Sequence, residues 1–147
     1  MIKTHEENVG FIEKSKAIGP KDFKACFEEK IFSENYGRKR AEYKPGFDKL
    51  RQYIFSQYDN YGFTNESGYI TFRFIINCDG QAGRYEIHQV GMDFKKKIFN
   101  KELVEHLFEL VSKLQNWTPM QFYDDKYDSF FHLTFKINNG ELLEVLY

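Results

Sequence analysis

The sequence has no long apolar run and almost no net charge. No stretch approaches the roughly 18 apolar residues of a membrane-spanning helix, so we expect no membrane span. The net charge of −1 argues against a nucleic-acid-binding protein that relies on a basic surface. The first residues lack the apolar core of a signal peptide. Two alternatives stay open, a cytoplasmic protein or an exported protein in its mature form.

The short motifs of common catalytic and metal sites are also missing. The chain contains no phosphate-binding glycine loop and no Gly-x-Ser-x-Gly turn. Asp124, Asp125 and Asp128 lack the alternating oxygen ligands and the turn glycine of a calcium loop. We therefore expect no cofactor, no metal and no catalytic residues.

Only two cysteines occur, Cys26 and Cys78, and three alternatives are open for them. They can be two reduced, buried thiols. They can form a disulfide bond, which would imply an oxidising compartment. Cys78 can also serve as a nucleophile with His88 or His132, although no Cys-x-x-Cys motif or fixed Cys–His spacing supports a thiol enzyme.

Aromatic residues make up 18% of the chain, which indicates a folded domain with a substantial core. The segment Gly68–Gly80 predicts the central strand of a sheet, followed by a tight turn. Its alternation puts four apolar residues on one face: Ile70, Phe72, Phe74 and Ile76. Asp79-Gly80 predicts a two-residue turn into a partner strand, Gly83–Val90, in an antiparallel hairpin.

Three segments show helical periodicity. Pro20 and the apolar spacing after it predict a short helix from about 20 to 31. A second helix begins at Gly46, and the longest runs from Asn100, a plausible N-cap, to Asn116. A basic loop precedes the second helix, and we interpret its charged residues as solvated surface: Arg38, Lys39, Arg40 and Lys44.

The last part of the chain predicts a second hairpin. Phe130–Ile137 alternates as a strand, the Asn138–Glu141 segment is a strong turn signal, and Leu142–Leu146 returns beside it. The fold class is therefore α+β. We expect an antiparallel sheet in hairpin, helix, hairpin order, with one long helix packed on it and an N-terminal helical extension. Residues 1–45 are predicted as a lead-in, and residues 46–147 as the main domain.

The order of strand, Asp-Gly turn, strand, helix, Trp-x-Pro and strand resembles the TonB C-terminal domain over about residues 67–137. The matching residues are Gly68–Phe74 with Asp79-Gly80, Trp117-Thr118-Pro119 and Leu133–Ile137. Glu42–Gly46 and the helix after it resemble the lead-in helix of TonB-like proteins common in Bacteroidetes. The resemblance implies a helix packed on an antiparallel sheet, a periplasmic location and a peptide that binds as an added strand. The accepting strand would correspond to Phe130–Ile137.

The leading hypothesis is a non-enzymatic module, in the periplasm or cell envelope, that binds a protein or peptide through a sheet edge. Its partner could be an outer-membrane or cell-envelope protein. The predicted last strand would cover one edge of Phe130–Ile137 and become the new outer edge. The alternatives are a structural domain that forms a homodimer through this edge, and an enzyme that uses Cys78. The candidate partner-binding residues on the two strands are Phe130, His132, Thr134, Lys136, Leu143 and Val145.

Overall fold

The computed structural model describes residues 12–34, 39–60 and 62–147, which form a mixed α and β fold with antiparallel sheets and two helices. The expectations for residues 1–11 and for Arg38 lie outside the described residues. The elements in chain order are β1 (Glu42–Tyr43), α1 (Phe47–Gln57), β2 (Gly68–Ile76), β3 (Ala82–Val90), α2 (Lys101–Ser112), β4 (Trp117–Thr118), β5 (Met120–Phe122), β6 (Asp125–Tyr127), β7 (Ser129–Asn138) and β8 (Glu141–Leu146).

The main sheet has four antiparallel strands in the order β3-β2-β7-β8. β2 lies between β3 and β7, so Phe72 faces Ile87 on one side and Leu133 on the other. The predicted inward face of β2 is confirmed, because Ile70, Phe72, Phe74 and Ile76 are all fully buried. This apolar face is the floor of the main core.

Both helices pack on that face of the sheet. The Asn100 side chain accepts a hydrogen bond of 2.8 Å from the Glu102 backbone N–H, so the predicted N-cap of α2 is confirmed. Phe108 of α2 meets the Tyr85 ring of β3 edge to face at 5.3 Å. From α1, Leu50 and Ile54 enter the same core. None of the described helices has the length and apolar character that a membrane crossing requires.

The turn between β2 and β3 is one residue longer than predicted. The Asn77 backbone N–H donates to Gln81 O at 2.8 Å, and the Gly80 N–H donates to Asn77 O at 2.9 Å. The Asn77 side-chain oxygen accepts from the N–H groups of Asp79 and Gln81, each at 3.0 Å. Asn77 therefore caps a three-residue loop, and within it only Gly80 has positive φ, at +80°.

The predicted helix at about 20–31 is wrong, because residues 12–34 form turns and extended segments without a helix. The reason is a long-range competitor for the backbone donors of this segment. Asp128 accepts the N–H groups of Cys26 at 3.0 Å and Phe27 at 2.6 Å, so these donors point to a distant carboxylate instead of along a helix axis.

Residues 12–34, which we call the N-terminal segment, cover part of the sheet face opposite the helices. Ile12 of this segment forms a small buried cluster there with Ile75 and Phe130. Glu28 makes a bidentate ion pair with Arg84 of β3, at 2.7 and 2.9 Å. The hydrogen bonds from Arg84 lower the pKa of Glu28 from 4.5 to about 2, so the carboxylate stays ionised even at pH values just below 4.5.

Three short strands between α2 and β7 are absent from the prediction. β4 pairs with β1, which sets Trp117 opposite Tyr43, and β5 pairs with β6 as a small hairpin. These strands have two or three residues each, which is too short for an alternating pattern to be recognised in a sequence.

The β7–β8 turn provides a test of the packing around it. Asn139 and Gly140 both have positive φ, as a two-residue hairpin turn requires. A Cβ at Gly140 would lie only 2.2 Å from Phe63 O, so we expect Gly140→Ala to lower the free energy of unfolding by about 2–4 kcal/mol. Urea denaturation would measure the loss.

The matched control is Gly62→Ala. Gly62 has a similar φ of +83°, but no heavy atom of the described residues lies within 4 Å of its added Cβ. Only the left-handed backbone conformation should then cost stability, about 1 kcal/mol. Equal losses for the two variants would contradict the packing of the turn against Phe63.

Candidate binding site on the outer sheet edge

β8 forms one edge of the main sheet. Within the described parts of the chain it pairs with β7 alone, so its other side faces no strand. The opposite edge differs, because β3 has neighbours along its outer side. Tyr85 exchanges two backbone hydrogen bonds with Ile18, at 2.8 and 2.9 Å, and Lys97 N–H reaches Gln89 O at 3.5 Å. The outer edge of β3 is therefore partly occupied by backbone hydrogen bonds, whereas no described strand pairs with the outer edge of β8.

The alternation of backbone hydrogen bonds identifies the outward groups of β8. Phe130 donates its backbone N–H away from β2, to Phe32 O at 2.9 Å, so the even-numbered residues of β7 point away from β2. Thr134 and Lys136 thus face β8, where they oppose Leu146 and Glu144. It follows that the backbone N–H and C=O of Val145, between those two residues, point to the unpaired side.

A cavity of about 270 Å³ adjoins this edge. Tyr147, directly after β8, contributes to its wall, and most of the lining is aromatic. We call it the aromatic pocket, lined by Arg40, Ala41, Glu42, Tyr43, Phe47, Leu50, Trp117, Phe131 and Tyr147. The rings contact one another: Tyr147 lies 4.1 Å from Phe47, and Trp117 lies 5.0 Å from Phe131, between ring centroids. The ring contacts form a preorganised apolar wall.

Arg40 brings positive charge to this aromatic wall. Its guanidinium carbon lies 5.1 Å from the Phe131 ring centroid and 4.8 Å from that of Tyr147. One terminal nitrogen makes an ion pair with Glu34 at 3.0 Å. Its Nε–H is buried and has no hydrogen-bond acceptor among the described residues. The pocket therefore combines an apolar wall with one cationic side chain.

The four candidate residues on β7 lie on the sheet face opposite the helices. Phe130 is buried, with the Arg73 guanidinium 4.2 Å above its ring. The His132 ring hydrogen-bonds to Glu34, the Thr134 hydroxyl contacts the Thr71 hydroxyl at 2.8 Å, and Lys136 lies 6.0 Å above the Tyr69 ring. β7 is not an edge strand, because β2 pairs along one side and β8 along part of the other. It therefore cannot accept an added strand over Phe130–Ile137 unless β8 is displaced.

The two candidate residues on β8 differ from each other. Leu143 is exposed and is the extra residue of a β-bulge, because Lys136 pairs with Glu144 whereas Ile137 pairs with Leu142. Val145 is buried in the main core, so its side chain cannot contact a partner, although its backbone faces outward. Regular pairing of β8 therefore covers Glu144–Leu146, the part next to the aromatic pocket.

The cysteines meet at a partly buried junction between the N-terminal segment and the β2–β3 turn. The Sγ atoms of Cys26 and Cys78 lie at disulfide-bonding distance, with Cα atoms 6.0 Å apart. Fully buried Asp128 adjoins them and accepts the Cys78 N–H at 2.9 Å, in addition to those of Cys26 and Phe27. Two thiolates and this carboxylate could hold a metal ion by distance alone. Instead, the two sulfur atoms lie at disulfide distance from each other, and the carboxylate accepts three backbone N–H hydrogen bonds.

His88 and His132, the two histidines considered as partners of Cys78, do not lie on neighbouring strands. The two histidines lie on β3 and β7, and β2 runs between them, so His88 opposes Thr71 and His132 opposes Arg73. His88 hydrogen-bonds to Glu86 at 3.1 Å, and His132 to Glu34. Cys78 lies against Cys26 and Asp128, which gives no support to a thiol–imidazole pair.

Sequence reasoning missed the aromatic pocket. It assigned Arg40 to solvated surface, and it used Trp117 only as part of the Trp-x-Pro motif. The two residues lie 77 positions apart in the sequence, and only the pairing of β1 with β4 brings their segments together. Comparison of the chain with protein-family models, curated proteins and solved structures gives no match. The TonB resemblance therefore stays a prediction from the motifs.

The buried Asp128 carboxylate generates a stability prediction. Asp128→Asn removes the charge and places an amide NH₂ where backbone N–H donors converge, so at least one donor loses its acceptor. We expect a loss of about 2–4 kcal/mol in the free energy of unfolding, measured by urea denaturation. Asp124→Asn, an exposed change in the nearby hairpin, is the control and should cost less than about 0.5 kcal/mol. Equal effects would contradict a structural role for the Asp128 carboxylate.

Proposed function

We propose that this chain is a non-enzymatic protein- or peptide-binding domain that adds a short extended segment to the outer edge of β8. One observation carries the proposal. β8 pairs regularly with β7 along Glu144–Leu146 and has an open outer side there. This part of the strand ends beside the aromatic pocket. In strand addition, main-chain hydrogen bonds supply affinity, and a pocket for a guest side chain supplies specificity.

The geometry supports a short guest segment with one anchor side chain. The bulge at Leu143 interrupts the regular hydrogen-bonding pattern of the edge, and the charged residue Glu141 lies on the far side of the bulge. Regular pairing with a guest is therefore favourable only along Glu144–Tyr147. A cavity of about 270 Å³ suits a single large side chain. We expect an apolar or aromatic anchor, and a basic residue beside it that complements exposed Glu144.

The proposed location is the periplasm or cell envelope, and the proposed partner is a protein of that compartment. The Cys26–Cys78 distance is compatible with an oxidising compartment. The TonB resemblance favours the same location and the same mode of binding. It differs in the accepting strand, because the proposed edge is β8 and not β7.

A homodimer through the same edge is the second candidate. Leu143, Leu146 and Tyr147 are exposed apolar side chains along or next to β8, and two such edges could pair across a two-fold axis. Light scattering over a range of concentrations distinguishes the two candidates. A monomer at all concentrations would exclude the homodimer, whereas a dimer in the absence of peptide would support it.

Short peptides selected from a random library test the binding proposal. We expect Tyr147→Ala to weaken the binding of selected peptides about tenfold or more, because it removes one wall of the pocket. Fluorescence anisotropy measures the affinity. Amide hydrogen exchange supplies a second measurement, in which the Val145 N–H should become protected when peptide binds.

Leu143→Ala is the control, since Leu143 is exposed on the same strand but does not line the pocket. It should change the affinity less than about threefold. Equal affinities for wild type and Tyr147→Ala, without protection of Val145, would exclude this site.

The location has its own test. Protein isolated from its native host should resist alkylation at both Cys26 and Cys78 until it is reduced, and its intact mass should be that of a monomer. Free alkylation of both thiols without reduction would contradict an exported protein, and would leave strand addition to be tested separately.

A further inference from the structure

We propose that the loop between β3 and α2, residues 91–99, attaches the protein to the surface of an anionic lipid membrane. This inference does not depend on the β8 edge. It starts from two apolar side chains at the loop surface, since Phe94 is 71% exposed and Ile98 is 82% exposed. Met92, in the same loop, is also exposed. Apolar side chains grouped on one loop indicate an interaction surface.

The backbone at Phe94 makes this exposure informative. Phe94 has a φ of +62°, a left-handed conformation that bulky residues rarely adopt and that glycine usually supplies in such loops. Two backbone hydrogen bonds fix the turn, from the Phe94 N–H to Gly91 O and from the Gly91 N–H to Lys95 O, both at 2.9 Å. The chain thus carries a strained, exposed phenylalanine where folding alone favours glycine. Backbone strain at an exposed residue indicates a function.

The loop is held in place, so its side chains are presented and do not collapse on the core. Phe99 is buried and donates its N–H to the Gln89 side chain at 2.8 Å. The Phe94 ring stacks on Tyr69 at 5.2 Å with an interplanar angle of 12°. The Asp93 carboxylate accepts the Lys95 N–H at 3.1 Å, so it serves the turn. Phe94 and Ile98 stay at the surface of an ordered loop.

The positive charge of the loop favours an anionic membrane as its binding partner. Lys95, Lys96 and Lys97 lie between the two apolar residues, against a single acidic residue, Asp93. Lys97 binds Ser67 O at 2.8 Å, whereas Lys95 and Lys96 are exposed. Lysines complement lipid phosphates, and apolar side chains beside them can enter the boundary between headgroups and acyl chains. The proposed ligand is therefore a bilayer that contains anionic phospholipid.

Vesicle co-sedimentation tests the proposal. Wild-type protein should bind mixed phosphatidylcholine–phosphatidylglycerol vesicles about tenfold more tightly than phosphatidylcholine vesicles. Phe94→Asn should reduce binding to the mixed vesicles about tenfold. Asparagine tolerates positive φ, which offsets the loss of the Phe94–Tyr69 stacking, so this variant should keep a urea midpoint close to that of the wild type. Lower stability in Phe94→Asn would contradict the argument from strain.

The matched control is Tyr123→Asn. Tyr123 is also an exposed aromatic residue at positive φ, with 86% exposure and φ of +57°, but it precedes Asp124 and Asp125 instead of lysines. This variant should bind mixed vesicles like the wild type. Loss of binding in Tyr123→Asn as well would show that the effect of removing an aromatic residue is not specific to the loop, which would overturn the assignment.

A third variant gives a direct readout of insertion. Trp117 is the single tryptophan and is buried, so a Phe94→Trp variant adds one exposed fluorophore. Its emission should shift to shorter wavelength with mixed vesicles and be quenched by brominated lipid. Wild-type protein that binds neither kind of vesicle would overturn the proposal.

Discussion

The buried carboxylate of Asp128 is the interaction on which the arrangement of the N-terminal segment depends. A carboxylate removed from water needs several donors, and Asp128 obtains them from Cys26, Phe27 and Cys78. These donors belong to the N-terminal segment and to the β2–β3 turn, so one side chain joins both to the start of β7. The same contacts keep residues 20–31 from forming a helix and bring the cysteines to disulfide distance.

This junction also decides which parts of the sheet stay open. The N-terminal segment covers part of the face opposite the helices, and its Ile18 occupies one position on the outer edge of β3. β8 receives no such cover from the described residues. The proposed peptide site and the proposed membrane loop lie at opposite edges of the sheet, since β8 is one edge strand and the loop follows the other. A peptide on β8 and a membrane at the loop would therefore not compete for the same surface.

The strength of the local pattern separates what could be predicted from what could not. β2 was predictable because Ile70–Ile76 alternates without interruption, and α2 because its apolar stripe follows an asparagine cap. The prediction of a helix at 20–31 was wrong although the apolar spacing is helical. Asp128, a hundred positions away, accepts hydrogen bonds from two backbone N–H groups of this segment. The β2–β3 loop is one residue longer than predicted because the Asn77 side chain accepts hydrogen bonds from two of the backbone N–H groups there.

Local sequence was enough to predict the elements whose residues carry their own periodicity or turn chemistry: the two helices, the long strands and the Asn139-Gly140 turn. Those choices depend on neighbours within a few positions, where alternation, capping and positive φ act. Local sequence could not predict three features: the aromatic pocket, the placement of the histidines and the outward direction of the Val145 backbone. Each depends on segments that lie far apart in the sequence, as Arg40, Trp117 and Tyr147 do. The order of strands in the sheet brings such segments together, and no local pattern encodes that order.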